Sequence, residues 1–196
     1  MKTLALKKTL KIGIQVLALL FISLSSLAQT TYKQTGTPSV LIAGTSTMHD
    51  WTMESKQSNY TASFEINADG TPAKLNSVSV VIPAESLKSK EKAMDKNAYN
   101  SLKTDKYKEI TYQLTTSKIT GKTITCSGNL TIAGTTKPLD VDVTYEVVNG
   151  TMVIKGSKKI KMTDFKVEPP TFMFGAIKTG DEITISINVT LAPVKL

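Results

Sequence analysis

The chain has 196 residues, with 24 basic side chains against 16 acidic, one histidine and one cysteine. Every basic residue is lysine and the lysines are scattered, which argues against a nucleic-acid reader, because such proteins use arginine forks and a concentrated basic stripe. A single cysteine excludes an intrachain disulfide framework.

In chain order, Lys2, Lys7, Lys8 and Lys11 precede an apolar run from Ile12 to Leu24, which ends in Ser26-Leu27-Ala28. A charged segment, an apolar segment and a small-x-small site together read as a secretory signal peptide over residues 1–28. The run is interrupted by Gly13 and Gln15 and is short for a membrane span, so no stable membrane insertion is expected. No cysteine follows the expected cleavage site, so a lipid anchor is not expected either. Residues 29–196 then form one domain with 20 lysines against 16 acids, a net charge of +4, long enough to bury a useful core.

Alternation of apolar and polar residues predicts strands over 39–48, 59–69, 74–83, 108–117, 122–133, 138–148, 151–162 and 182–192, with a less regular one near Tyr32. Asn149-Gly150 between two alternating runs predicts a tight hairpin with two positive φ values. Short connections favour an antiparallel meander, and about eight strands close into a barrel. Between Glu85 and Lys106 the pattern changes to a short helix over Asp95–Leu102, with Asp95 as N-cap and Met94, Ala98 and Leu102 on one side. It is expected to lie across one mouth of the barrel. A second irregular stretch, Asp164–Gly180, carries Pro169-Pro170 and Phe172-Met173-Phe174, three large apolar residues that either plug the barrel or touch a ligand at its entrance.

Catalytic chemistry finds little support. His49 has no second histidine or cysteine pair beside it, so no metal site is expected. Ser46, His49 and Asp50 lack the strand, helix and second glycine of a nucleophile elbow, and neighbours on a strand point to opposite faces. Asp140, Asp142 and Glu146 fall on the wet face of their strand, and Cys126 on the dry face of its own. Four Asn-x-Thr triplets, at Asn59, Asn129, Asn149 and Asn188, arise from polar strand positions and carry no glycosylation reading. What remains is an apolar interior, read either as a packed core or as a pocket for one elongated apolar ligand.

Gly44-Thr45-Ser46-Thr47-Met48-His49-Asp50-Trp51, Met94-Asp95, the run Gly128–Lys137, Met162-Thr163-Asp164-Phe165 with Pro169-Pro170, Gly175 and Thr179-Gly180-Asp181 resemble the YceI-like family of secreted bacterial proteins. The likeness spans nearly all of the chain after residue 28, and Leu130-Thr131-Ile132-Ala133-Gly134-Thr135-Thr136-Lys137 is its most specific part. The resemblance implies an all-β, antiparallel, eight-stranded lipocalin-like barrel with a short helical insertion, placed in the periplasm or outside the cell. It also implies an elongated apolar pocket that, in members with bound ligand, holds a polyisoprenoid or related amphiphile, and no catalysis. The family's histidine maps onto His49, and its Arg-Asp pair onto Lys92-Ala93-Met94-Asp95, which keeps Asp95 and lacks the arginine.

The expected function is therefore an exported, non-enzymatic protein, without cofactor, that holds an isoprenoid, quinone or fatty acyl chain. Expected wall contacts are Phe64, Ile66, Val78, Val80, Ile82, Ile110, Tyr112 and Leu114. Met94, Tyr99 and Leu102 of the helix and Phe165, Phe172 and Phe174 of the loop would stand at the entrance, and His49 and Tyr107 (with Tyr99) would offer polar contacts to a head group. Alternatives are a solid-cored envelope-stress or surface-interaction protein and an enzyme using His49. The expected partner is a lipid-like small molecule, with no nucleic acid and with homodimerisation left open.

Overall fold

Period-two alternation places one apolar face on each strand, and the structure closes these faces on one another. The computed structural model describes residues 28–194. The signal peptide expected over residues 1–28 lies outside them, save for Ala28 at the start of the first strand. The strands are β1 (Ala28–Ser46), β2 (Trp51–Ser55), β3 (Asn59–Ile66), β4 (Pro72–Pro83), β5 (Glu109–Thr120), β6 (Thr123–Ile132), β7 (Thr135–Val148), β8 (Thr151–Lys161), β9 (Thr171–Phe172) and β10 (Ile177–Pro193), and one helix, α1 (Lys92–Leu102), follows β4. All ladders are antiparallel, and β1 pairs with β10 as well as with β3. The strands β1-β3-β4-β5-β6-β7-β8-β10 thus form a closed eight-stranded barrel, the fold that the alternation and the family resemblance predict.

Turn chemistry fixes the register of the central meander. Asn149 (φ 50°) and Gly150 (φ 77°) make the β7–β8 turn as expected, and Ala133 (φ 47°) with Gly134 (φ 75°) repeats that geometry between β6 and β7. Gly121 (φ 58°) opens the two-residue β5–β6 turn, where only the first central position needs positive φ.

Several elements differ from expectation. The irregular strand near Tyr32 is the first half of β1, which runs continuously through Gly36 and Pro38 by a register shift between Thr35 and Ser39. Gly36, with φ of 69°, absorbs the shift as a bulge. β2 pairs with residues 40–44 of β1 beyond the stretch taken by β3; at five residues its alternation of Trp51, Met53 and Ser55 is too short to register in sequence. The helix begins three residues earlier than predicted, and Asp95 is not its N-cap, which is Glu91. Asp95 is instead buried in the first turn, accepting from the backbone N–H and the hydroxyl of Ser89, both at 2.7 Å.

Tyr112 on β5 shows how a large side chain is kept out of the barrel's centre. Its hydroxyl donates towards the carbonyls of Cys126 (3.3 Å) and Leu139 (3.5 Å), which stretches the ring along the wall across Gly128. A Cβ at residue 128 would come within 2.5 Å of the Tyr112 hydroxyl and of the Gln113 carbonyl oxygen. Gly128→Ala should therefore lower stability by about 1–3 kcal/mol, as overpacking does. Urea denaturation should show a lower midpoint at constant slope, and an unchanged midpoint would mean that the ring is free to leave its place.

Candidate functional site

The barrel is hollow. A cavity of about 480 Å³ runs through it, lined by inward residues of the eight barrel strands and β2 and by α1 and the segment 162–179. That volume falls within the range of small-molecule sites. Ile42, Val78, Val80, Ile82, Val141, Ile185 and Ile187 are mid-strand aliphatics on the inner face, yet each is only partly buried, because the void rather than another side chain lies before it. The solid core of the alternative reading is not what these residues build.

One end is sealed. Phe64 and Met152 are fully buried there beside Leu75 and Leu191, and the Tyr32 and Phe64 rings meet edge to face with centroids 5.4 Å apart. At the other end α1 presents Met94, Ala98 and Leu102 to the cavity, alongside a second buried cluster that includes Met53, Ile160, Phe165 and Ile183. Lining residues exposed to solvent at this end are Met48, His49, Glu91 and Ala93, so the mouth lies between the β1–β2 turn and the start of α1.

Hydrogen bonds between segments far apart in sequence build this rim. The Thr47 N–H donates to the Lys178 carbonyl at 3.0 Å, and the Lys178 N–H donates to the Thr47 hydroxyl. Asp181 accepts from the Thr163 N–H (2.9 Å) and hydroxyl (2.6 Å), which holds its carboxyl below the usual carboxylate range and pins the turn that buries Phe165. Trp51 lies against Gly44, where a Cβ would collide with the indole, and its Nε1 donates to the Thr45 carbonyl at 3.0 Å. The three motif pieces 44–51, 162–165 and 175–181 thus meet at one end of the barrel.

Of the expected contacts, Phe64, Val78, Val80, Ile82, Met94, Leu102, Ile110, Tyr112, Phe165, Phe172 and His49 line the cavity. Ile66 and Leu114 do not: each sits beside a register shift and packs at the margin of the sealed end. Tyr99 is drawn outward, its hydroxyl lying 2.9 and 2.8 Å from the Glu85 and Leu87 carbonyls while accepting from Lys88 Nζ at 2.6 Å. Tyr107 covers Gly134 at the β6–β7 turn, under Lys106 Nζ at 5.0 Å from its ring. Phe174 is fully exposed, because residues 173–175 all take positive φ and turn its ring away from the barrel.

His49 carries no catalytic arrangement with Ser46. The Ser46 hydroxyl donates to the His49 backbone carbonyl at 2.8 Å and accepts from the N–H groups of Met48 and His49. The ring Nδ1 lies 2.6 Å from the Asp50 carbonyl oxygen, a group that only accepts, so that nitrogen carries a proton. Among the described residues, no group of three or more His, Cys, Asp or Glu is placed to hold a metal ion. No helix among them is long and apolar enough to cross a membrane.

Two further lining residues are Tyr60, whose phenol burial pushes up to about 12, and Cys126, on the dry face of its strand as expected, whose free thiol burial pushes up to about 11. Lys158 is a third. Its phase in β8, with Met152, Ile154 and Ile160, was the signal that points it inward.

Fold and site define an antiparallel barrel with an apolar, single-chambered interior. A YceI-like domain model matches residues 29–191, and the chain belongs to that family. Solved structures show the same fold. BcnA of Burkholderia cenocepacia is 17% identical with a TM-score of 0.67, over 78% of this chain and 95% of its own. The YCEI protein of Campylobacter jejuni is 25% identical with a TM-score of 0.57, over 70% and 82%. A polyisoprenoid-binding domain of Saccharophagus degradans is 11% identical with a TM-score of 0.63, over 84% and 99%. No curated protein matches the chain.

The Cys126 thiol faces the cavity, and burial pushes its ionisation up to about 11. At pH 8 its reaction with a charged disulfide reagent should be at least roughly a hundredfold slower in the native protein than after denaturation, since only the thiolate reacts. The rate should climb with pH until about 11. Equal rates in the two states would mean that the thiol is neither buried nor apolar in its surroundings.

Proposed function

We propose that the protein is an exported, non-enzymatic binding protein that holds an elongated apolar or amphiphilic lipid inside its barrel. The observation that carries this reading is the 480 Å³ chamber with partly accessible aliphatic walls, sealed at one end and open at the other. Apolar surface left facing water in such a chamber is a standing source of affinity: each methylene moved into it contributes about 0.8 kcal/mol. An isoprenoid, quinone or fatty acyl chain matches the chamber in chemistry and shape. That a structural neighbour is a polyisoprenoid-binding domain supports the same class of ligand.

The Ser46 and His49 geometry favours binding over turnover, since the one hydroxyl beside the one imidazole is spent on the backbone. The Lys-rich, apolar and small-residue segments at the N-terminus support a periplasmic or secreted location.

Solvent extraction of the natively purified protein followed by mass spectrometry should release a lipid at a fixed molar ratio. Filling the chamber should remove it: Val80→Trp or Ile185→Trp, both at the cavity wall, should lower affinity for a fluorescent long-chain probe by about tenfold or more, the equivalent of a few displaced methylenes. A wild-type protein that repeatedly yields no lipid and takes up no probe would end the proposal.

A further inference from the structure

The barrel wall is incomplete between β7 and β8. Their ladder runs from Val148↔Thr151 to Val143↔Gly156 and stops there, although β7 begins at Thr135 and β8 continues to Lys161. Beyond that point β7 keeps its partner β6, and β8 keeps β10. The turn 163–165 packs against β7 and, with Phe165 and Val167 buried, fills the upper part of the divergence. In the lower part the Val143 side chain closes the wall over Gly156, where a Cβ would come within 2.7 Å of it, while Ser157 and Lys158 have no ladder partner on β7. Val143, Gly156, Ser157 and Ile187 line both the cavity and a depression on the outer surface, so the wall is thin there.

Lys158 stands at this gap. Its alignment with Ile185 puts its side chain on the inner face, between Gly156 and Ile160. It is half-buried, and among the described residues no carboxylate or hydrogen-bond acceptor pairs with it. An ammonium facing an apolar chamber without a partner is costly, and a flexible stem that lets it lean towards the gap reduces the cost without removing it. The only other charged residue lining the cavity, among those described, is Glu91 at the mouth. A carboxylate there repels an anion, whereas Lys158 attracts one. On the outer side Lys155 contributes a positive charge and Asp142 a negative one, its carboxylate accepting from the Thr125 hydroxyl at 2.7 Å, so Lys158 is the net positive group facing the chamber.

From these positions, and resting on the proposed lipid binding, we infer that the ligand is an anionic amphiphile, a carboxylate or a phosphate monoester, whose head group pairs with Lys158 at the gap between β7 and β8. The tail occupies the apolar chamber and the head reaches water through the side of the barrel rather than through the mouth.

The test compares matched pairs on the full chain: palmitate against hexadecanol, and farnesyl phosphate against farnesol, each by displacement of a neutral fluorescent probe. Wild type should prefer the anion of a pair by about tenfold or more, the worth of a charge-assisted hydrogen bond. The pair with the larger preference identifies carboxylate or phosphate. K158M should abolish the preference whatever it does to the alcohols, with an unchanged circular dichroism spectrum and urea midpoint showing that the variant is folded, and K158R should retain it. Equal binding of anion and alcohol by wild type, or a preference that survives K158M, overturns the assignment of Lys158 while leaving lipid binding intact. Failure of all four probes to bind wild type overturns lipid binding itself and this inference with it.

Discussion

Closure of the sheet through β1 is the constraint on which the rest depends. By pairing with β10 along one edge and with β3 and then β2 along the other, this strand removes both open edges at once. Eight closed strands set a diameter at which side chains can just meet across the axis. Whether they meet is decided by their size. The middle of this barrel is built from Val78, Val80, Val141, Val143, Gly156, Ile185 and Ile187, and its rings are gathered at the ends, Tyr32 and Phe64 at one and Trp51, Phe165 and Phe172 at the other. Two rings lie between: Tyr60, opposite Val80, and Tyr112, which is laid along the wall over Gly128. The void is thus a product of residue size in a diameter fixed by backbone hydrogen bonds. Such a frame does not collapse to fill it, because collapse would break ladder bonds whose groups have no other partner.

How far this was legible in sequence follows from which signals are local. The runs 138–148 and 182–192 alternate cleanly because one face of each strand is wet, and Asn149-Gly150 names its own turn. The first half of β1 was nearly hidden, since Thr30, Thr31, Gln34 and Thr35 lack aliphatic alternation and Gly36 and Pro38 interrupt the run. Its strand state comes from partners at residues 61–66 and 190–193, which no local window contains. Asp95 was misread for a related reason: a carboxylate before an apolar stripe looks like a cap, yet its partner, Ser89, lies on the incoming loop.

The pocket residues divide along the same line. Inward phase on a strand identified Phe64, Val78, Val80, Ile82, Ile110 and Tyr112, because phase is a property of one strand. Tyr99, Tyr107 and Phe174 lie in irregular segments, where side-chain direction is set by the backbone of distant turns. Lys158 shows the converse. Its phase was readable, but reading it requires taking the polar exception in an apolar row as seriously as the row itself.

The break in the β7–β8 ladder has a consequence for how an occupant lies. A chamber with one mouth orients an amphiphile with its polar end outward at that mouth. An ammonium set in the wall where the β7–β8 ladder ends, away from the mouth, separates the route from the resting place of the polar group. Here the two places differ in sign, Glu91 beside the mouth and Lys158 beside the end of the β7–β8 ladder. A neutral tail passes a carboxylate without penalty, whereas an anionic head is held back from it and drawn to the ammonium. The same arrangement gives a neutral lipid no reason to prefer the gap. Charge placement, rather than the volume of the chamber, therefore sets which amphiphile the barrel distinguishes, since the apolar walls accept any tail that fits.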